Sequence, residues 1–153
     1  MRTFVKYILK LLLILFISAS FLDFFYTKVY ANSKERNKIQ AVINGNNKNF
    51  DVLVLGSSRA NNHIVTNEFT KKSIKAFNYG MSGSSLEESA LLLQLMLEKK
   101  WDIKNVLLEV DLNINSENFS EGTRAAYMPY LRNEIISNYY QNIENFNSFY
   151  FIP

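Results

Sequence analysis

Two adjacent serines, Ser57 and Ser58, follow a glycine at the end of the apolar run Asp51-Val-Leu-Val-Leu-Gly56. A hydroxyl held where a buried strand turns into a helix sits at the rim of a sheet, the placement a serine nucleophile needs. Two later stretches carry groups that suit such a serine. Asn78-Tyr-Gly-Met-Ser-Gly83 offers backbone N–H groups around two glycines, and Glu109-Val-Asp-Leu-Asn113 ends in a side-chain amide. Ser58, the Gly83 amide and the Asn113 amide, if they converge, supply a nucleophile and two donors for a developing oxyanion. The chain has no cysteine and one histidine, His63. Disulfides, thiolate metal sites and multi-histidine metal sites are thereby excluded, and no cofactor is expected.

The elements that must position these residues follow from pattern. Asp51–Leu55 reads as a buried central strand, Ile74–Asn78 as a second and Asn105–Val110 as a third. Between them, 61–72 reads as helix or loop, and Ser85–Lys100 as a strong helix. Ser85-Leu-Glu-Glu88 has the form of a capping box, and the apolar middle, Ala90–Leu97, predicts deep burial. Strands alternating with helices imply right-handed crossovers and a parallel sheet with helices on both faces. In such a sheet the three candidate loops share the carboxyl edge of the strands, where ligands bind. Ser116–Thr123 reads as a polar loop and 130–146 as a helix.

These residues resemble the SGNH (GDSL-like) hydrolase superfamily. The family's first block is an apolar strand ending in Gly-Asp-Ser. Here Gly56-Ser57-Ser58 stands in its place, which puts Ser58 on the nucleophile and Ser57 where the aspartate is usual. The Gly-Ser-Ser form looks like membrane-anchored members that work on cell-envelope polymers. The second block, Asn-x-x-x-Ser-Gly, matches Asn78 through Gly83 and puts Gly83 on the oxyanion-hole glycine. The third ends in Gly-x-Asn-Asp. Asn113 falls on the oxyanion asparagine, whereas Asp111 and Ile114 replace the block's glycine and aspartate. The family's closing Asp-x-x-His, which supplies base and orienting acid, has no counterpart in the 153 residues. The resemblance implies a three-layer α/β/α domain with a flavodoxin-like parallel sheet. It further implies serine esterase or acyltransferase chemistry on an acyl ester or an envelope polysaccharide. Three strands are few for such a domain, so 51–153 reads as its N-terminal portion, inactive alone for want of the base.

The N-terminal segment sets location. Arg2, Lys6 and Lys10 precede the apolar stretch Leu11–Leu22, and Phe4–Tyr26 is long enough to cross a bilayer. Basic residues before the span predict a cytoplasmic N-terminus and an extracytoplasmic domain. The alternative is a signal peptide cleaved near Ala31, for which Val29-Tyr-Ala31 fits as the cleavage site and which would release the domain outside. The division is then 1–30 as anchor, 31–50 as a linker or stalk, and 51–153 as the domain. Residues 1–50 carry 8 Lys+Arg against 2 Asp+Glu, and 51–153 carry 9 against 12. The basic excess belongs to the anchor, so the pI near 9.0 does not mark a nucleic-acid partner. The partner this segment predicts is the lipid bilayer.

Each candidate also has a plainer role. Ser58 suits the N-cap of the following helix. Gly80 and Gly83 suit turns that need positive φ. Asn113 can bond its own backbone, and His63 suits a surface position. The tyrosines at 127, 130, 139 and 140 read as packing. A membrane-anchored accessory or binding protein without chemistry is the alternative to the enzyme.

Overall fold

The computed structural model describes residues 2–31, 34–110 and 121–142. Its elements are α1 (Arg2–Ala31), α2 (Lys34–Ile43), β1 (Asn49–Leu55), α3 (Ser58–His63), α4 (Asn67–Thr70), β2 (Ala76–Asn78), α5 (Leu86–Glu98), β3 (Asp102–Leu108), α6 (Glu121–Tyr127), a 3₁₀ turn (Met128–Tyr130) and α7 (Glu134–Gln141). The strands form one parallel sheet in the order β2-β1-β3, with Val54 opposite Asn78 and Leu55 opposite Leu108. The chain is therefore a mixed α/β protein with a small parallel sheet behind a long apolar helix. Parallel pairing requires crossovers, and α3, α4 and α5 are the elements that supply them.

β1 is central because its residues suit burial on both sides. Leu53, Val54 and Leu55 are buried, each such side chain contributing about 1.5–3 kcal/mol. β3 lies at an edge, and its Val106, Leu107 and Leu108 are 40–43 % exposed. α1 contains Phe4–Val29, an apolar stretch long enough to span a membrane, none of it buried against the rest of the chain.

Residues 31–50, expected as a linker or a helical or irregular stalk, also contribute to the core. Helix α2 lies within them, and Ile39 and Val42 are completely buried in the hydrophobic core. The turn after α2 is tied to the start of β3. Trp101 Nε1 donates to Gly45 O at 2.9 Å, Asn47 N to Lys99 O at 3.0 Å, and Asp102 N to Lys48 O at 2.8 Å. The Trp101 ring packs beside Phe50 and Tyr79, with Lys48 Nζ 4.9 Å from its centroid. These contacts fasten α2 to the amino-terminal edge of the sheet.

The capping box at α5 forms as its sequence predicts. Glu88 N donates to Ser85 Oγ at 3.1 Å and Ser85 N to Glu88 Oε2 at 3.0 Å. Burial of α5 is one-sided. Leu91, Leu92, Leu95 and Met96 are buried, while Ala90 is exposed and Leu97 is 58 % exposed. Toward the end of the chain α6 takes in 121–123 of the expected polar loop, whose 116–120 lie outside the described residues, and α7 falls within the expected helix 130–146, whose 143–146 also lie outside them. Asn133 starts α7 anew, its Oδ1 accepting from Ile135 N and Ile136 N. Tyr127 and Tyr140 bury their rings 5.9 Å apart over α5, so these aromatics do pack.

That packing covers Glu88. Its carboxylate accepts from the Tyr140 hydroxyl at 3.3 Å and from Ser85 N, and no cation faces it among the described residues. Burial pushes its pKa from 4.5 up to about 7, against the lowering effect of the Ser85 and Tyr140 hydrogen bonds. Ionisation is thus resisted more in the folded chain than in the unfolded one. The resulting stability is whole below about pH 4.5 and lost as pH rises to about 7. Urea midpoints of the detergent-solubilised chain should fall across this interval, by at most about 1.4 kcal/mol per pH unit. Glu88→Gln should flatten that slope. An unchanged slope in the variant would show that Glu88 is not its source.

Candidate active site

The first loop begins with a backbone that few residues adopt. Gly56 has φ +140°, and a Cβ there would lie 2.7 Å from Glu109 Cβ and 2.9 Å from Glu109 Oε2. Glycine thus lets Glu109 approach. One Glu109 oxygen, Oε2, accepts from both Ser57 N at 3.0 Å and Ser57 Oγ at 2.8 Å. Ser57 is the N-cap of α3, its Oγ accepting from Arg59 N at 3.4 Å. The cap is Ser57, and Ser58 is the first helical residue. Ser58 is half-buried, and its hydroxyl has no hydrogen-bond partner among the described residues.

The second loop is bonded to the first. Tyr79 N donates to Val54 O at 2.8 Å, and Met81 N to Gly56 O at 3.0 Å. Asn78, the last residue of β2, works as a staple. Its Nδ2 donates to Ala60 O at 2.6 Å and to Ile64 O at 2.9 Å, while its Oδ1 accepts from Gly80 N at 2.9 Å. Gly80 is needed for proximity, not for positive φ. A Cβ there would meet Ala60 Cβ and Asn61 N, each at 2.8 Å. Gly83 does have positive φ, +78°, and is exposed. Its N–H and that of Ser58 have no acceptor among the described residues. Behind Gly83, Thr123 Oγ1 donates to Ser82 O at 3.1 Å, tying the loop to α6.

Lys38 of α2 completes the frame. Its Nζ donates to Gly80 O at 2.5 Å and to Asn61 Oδ1 at 2.7 Å. Neither Lys38 nor Glu109 stands out in the sequence. Glu109 is recognisable only from register. With Leu55 opposite Leu108, the residue that follows β3 faces the glycine that follows β1.

Of the expected site residues, Ser58 and Gly83 lie on loops that the structure joins directly. Asn113 and Asp111 lie outside the described residues. His63 is exposed at the end of α3. It lies five positions after Ser58 on the helix, about 7.5 Å along the axis and roughly 140° around it, and no hydrogen bond joins the two. Among the described residues no three His, Asp or Glu side chains cluster as metal ligands. The two joined loops carry an unengaged hydroxyl, on Ser58, and unengaged backbone donors, on Ser58 and Gly83, and among the described residues no base is bonded to that hydroxyl. No protein-family model matches the chain, and no curated protein or solved structure matches it.

Two substitutions test the frame. Gly80→Ala forces Cβ into backbone and should destabilise by about 1–3 kcal/mol. Glu109→Ala leaves the Ser57 amide and hydroxyl without their acceptor and should cost a similar amount, roughly 1–3 kcal/mol. Denaturant midpoints check both. A change under roughly 0.5 kcal/mol in either would mean that the contact is dispensable.

Proposed function

We propose that the chain is an extracytoplasmic, membrane-anchored acyl-ester site of SGNH type, built on a three-layer α/β/α frame and lacking a base of its own. Ser58 Oγ attacks the acyl carbonyl. The amides of Ser58 and Gly83, with the Asn113 side chain, hold the oxyanion. A base from outside these 153 residues takes the serine proton and returns it to the leaving alkoxide. Water as acceptor gives hydrolysis, and a sugar hydroxyl gives acyl transfer. The observation that carries this reading is the division of labour between the serines. Ser57 is held by Glu109 and caps α3, which leaves the neighbouring hydroxyl unengaged on a loop bonded to that of Gly83. The β2-β1-β3 order is also that of the first three strands of a flavodoxin-like sheet. The position of His63 favours a second reading, an anchored binding protein that uses the same rim without chemistry.

Losing the base of a triad costs several orders of magnitude in rate. The chain alone should therefore release no p-nitrophenol from p-nitrophenyl acetate above a Ser58→Ala control. Added imidazole can stand in for the base. With it, a fluorophosphonate should form an adduct on Ser58, found by peptide mass spectrometry and absent from Ser58→Ala. No adduct, or an adduct on Ser57, would favour the binding protein. Turnover without imidazole that depends on Ser58 would show that the chain supplies its own base.

A further inference from the structure

We infer that the carboxyl rim of the sheet, where Ser58 and Gly83 lie, faces the bilayer that holds α1, and that the ester it takes is carried by a membrane-resident amphiphile. The second half rests on the acyl-ester reading above; the first does not. The argument begins with the direction of α2. The carboxyl end of α2 runs through Gly45 and Asn47 into β1, and those residues bond to Trp101 and Lys99 at the amino-terminal edge of β3. Earlier in the same helix, Lys38 bonds to Gly80 O, beyond the carboxyl end of β2, and to Asn61 of the helix that follows β1. Helix α2 therefore runs antiparallel to β1, and its amino-terminal end lies toward the rim that carries Ser58. That end is where α1 enters.

The junction is short. Only residues 32 and 33 separate α1 from α2. The membrane-length stretch ends at Val29, and Lys38 is nine residues on. Nine residues span about 14 Å as helix and at most about 32 Å fully extended. A free stalk would let the domain tumble and offer any face to the membrane. Here Ile39 and Val42 are buried in the core, so α2 moves with the sheet and the tether starts at the rim. The rim is thus held close to the lipid headgroups. A site so placed meets esters whose alcohol or acyl portion is anchored in the bilayer far more often than esters free in solution. Local concentration in two dimensions does the selecting, as a short linker does for a second binding event.

The absence of cysteine makes the geometry measurable. The full-length chain, α1 included, is reconstituted into phosphatidylcholine–phosphatidylglycerol vesicles that contain an acceptor-labelled lipid. A donor dye is placed on Ser82→Cys, at the proposed membrane-facing rim, or on Asn46→Cys, at the opposite edge. The edges of a seven-residue strand lie roughly 23 Å apart, so transfer from position 82 should exceed that from position 46 roughly twofold or more. Equal transfer, or the reverse order, overturns the orientation. In the same vesicles with imidazole, p-nitrophenyl palmitate should acylate Ser58 roughly tenfold more than soluble p-nitrophenyl acetate, from its higher local concentration. Equal acylation overturns the substrate class. If no reagent modifies Ser58, fluorophosphonate included, the acyl-ester reading fails and takes the substrate class with it, while the transfer measurement still decides the orientation.

Discussion

Close approach of three chain segments at the exit of β1 is the constraint on which the rest of the site depends. Gly56 admits the Glu109 side chain, Gly80 admits α3, and Asn78 fixes α3 through the backbone carbonyls of Ala60 and of Ile64 at its C-cap. None of these contacts tolerates a larger residue or a shorter reach. Buried polar groups are costly unless satisfied, and each of these is satisfied by one of the others. The geometry of the rim is consequently set by side chains that do no chemistry in the proposed mechanism.

The two serines show how such a frame can divide roles between residues of one type. A carboxylate oxygen that binds both the amide and the hydroxyl of Ser57 fixes where α3 begins. The next hydroxyl is then carried on the first helical residue, clear of that bond. Ser57, with Glu109 as its distant partner, thus supplies the acceptor at the start of the helix.

Much of this was legible in the sequence. The three strands, the capping box at Ser85 and the glycine-bearing second loop follow from apolar runs and turn chemistry that act over a few residues. The parts that were not legible depend on contacts between distant segments. Helix α2 has few apolar residues, and only the burial of Ile39 and Val42 shows that it belongs to the core. Helix α6 begins within the stretch 116–123 that its polar residues suggested as a loop. It is held by tertiary packing of Ala126 and Tyr127, which local propensity does not report. The role of Glu109 requires the register of β1 against β3, and that of Lys38 requires the direction of α2. His63, which its spacing to Ser58 already set apart from an Asp-x-x-His block, is exposed at the end of α3.

Trp101, the sole tryptophan, gives the molecule a built-in indicator. Its indole N–H is bonded to the turn that joins α2 to the sheet, and its ring is shielded by Lys48, Phe50 and Tyr79. Detachment of α2 would wet this indole and shift its emission to longer wavelength before the strands separate. Intrinsic fluorescence therefore reports the coupling of the membrane-proximal helix to the domain apart from global unfolding, with no label introduced.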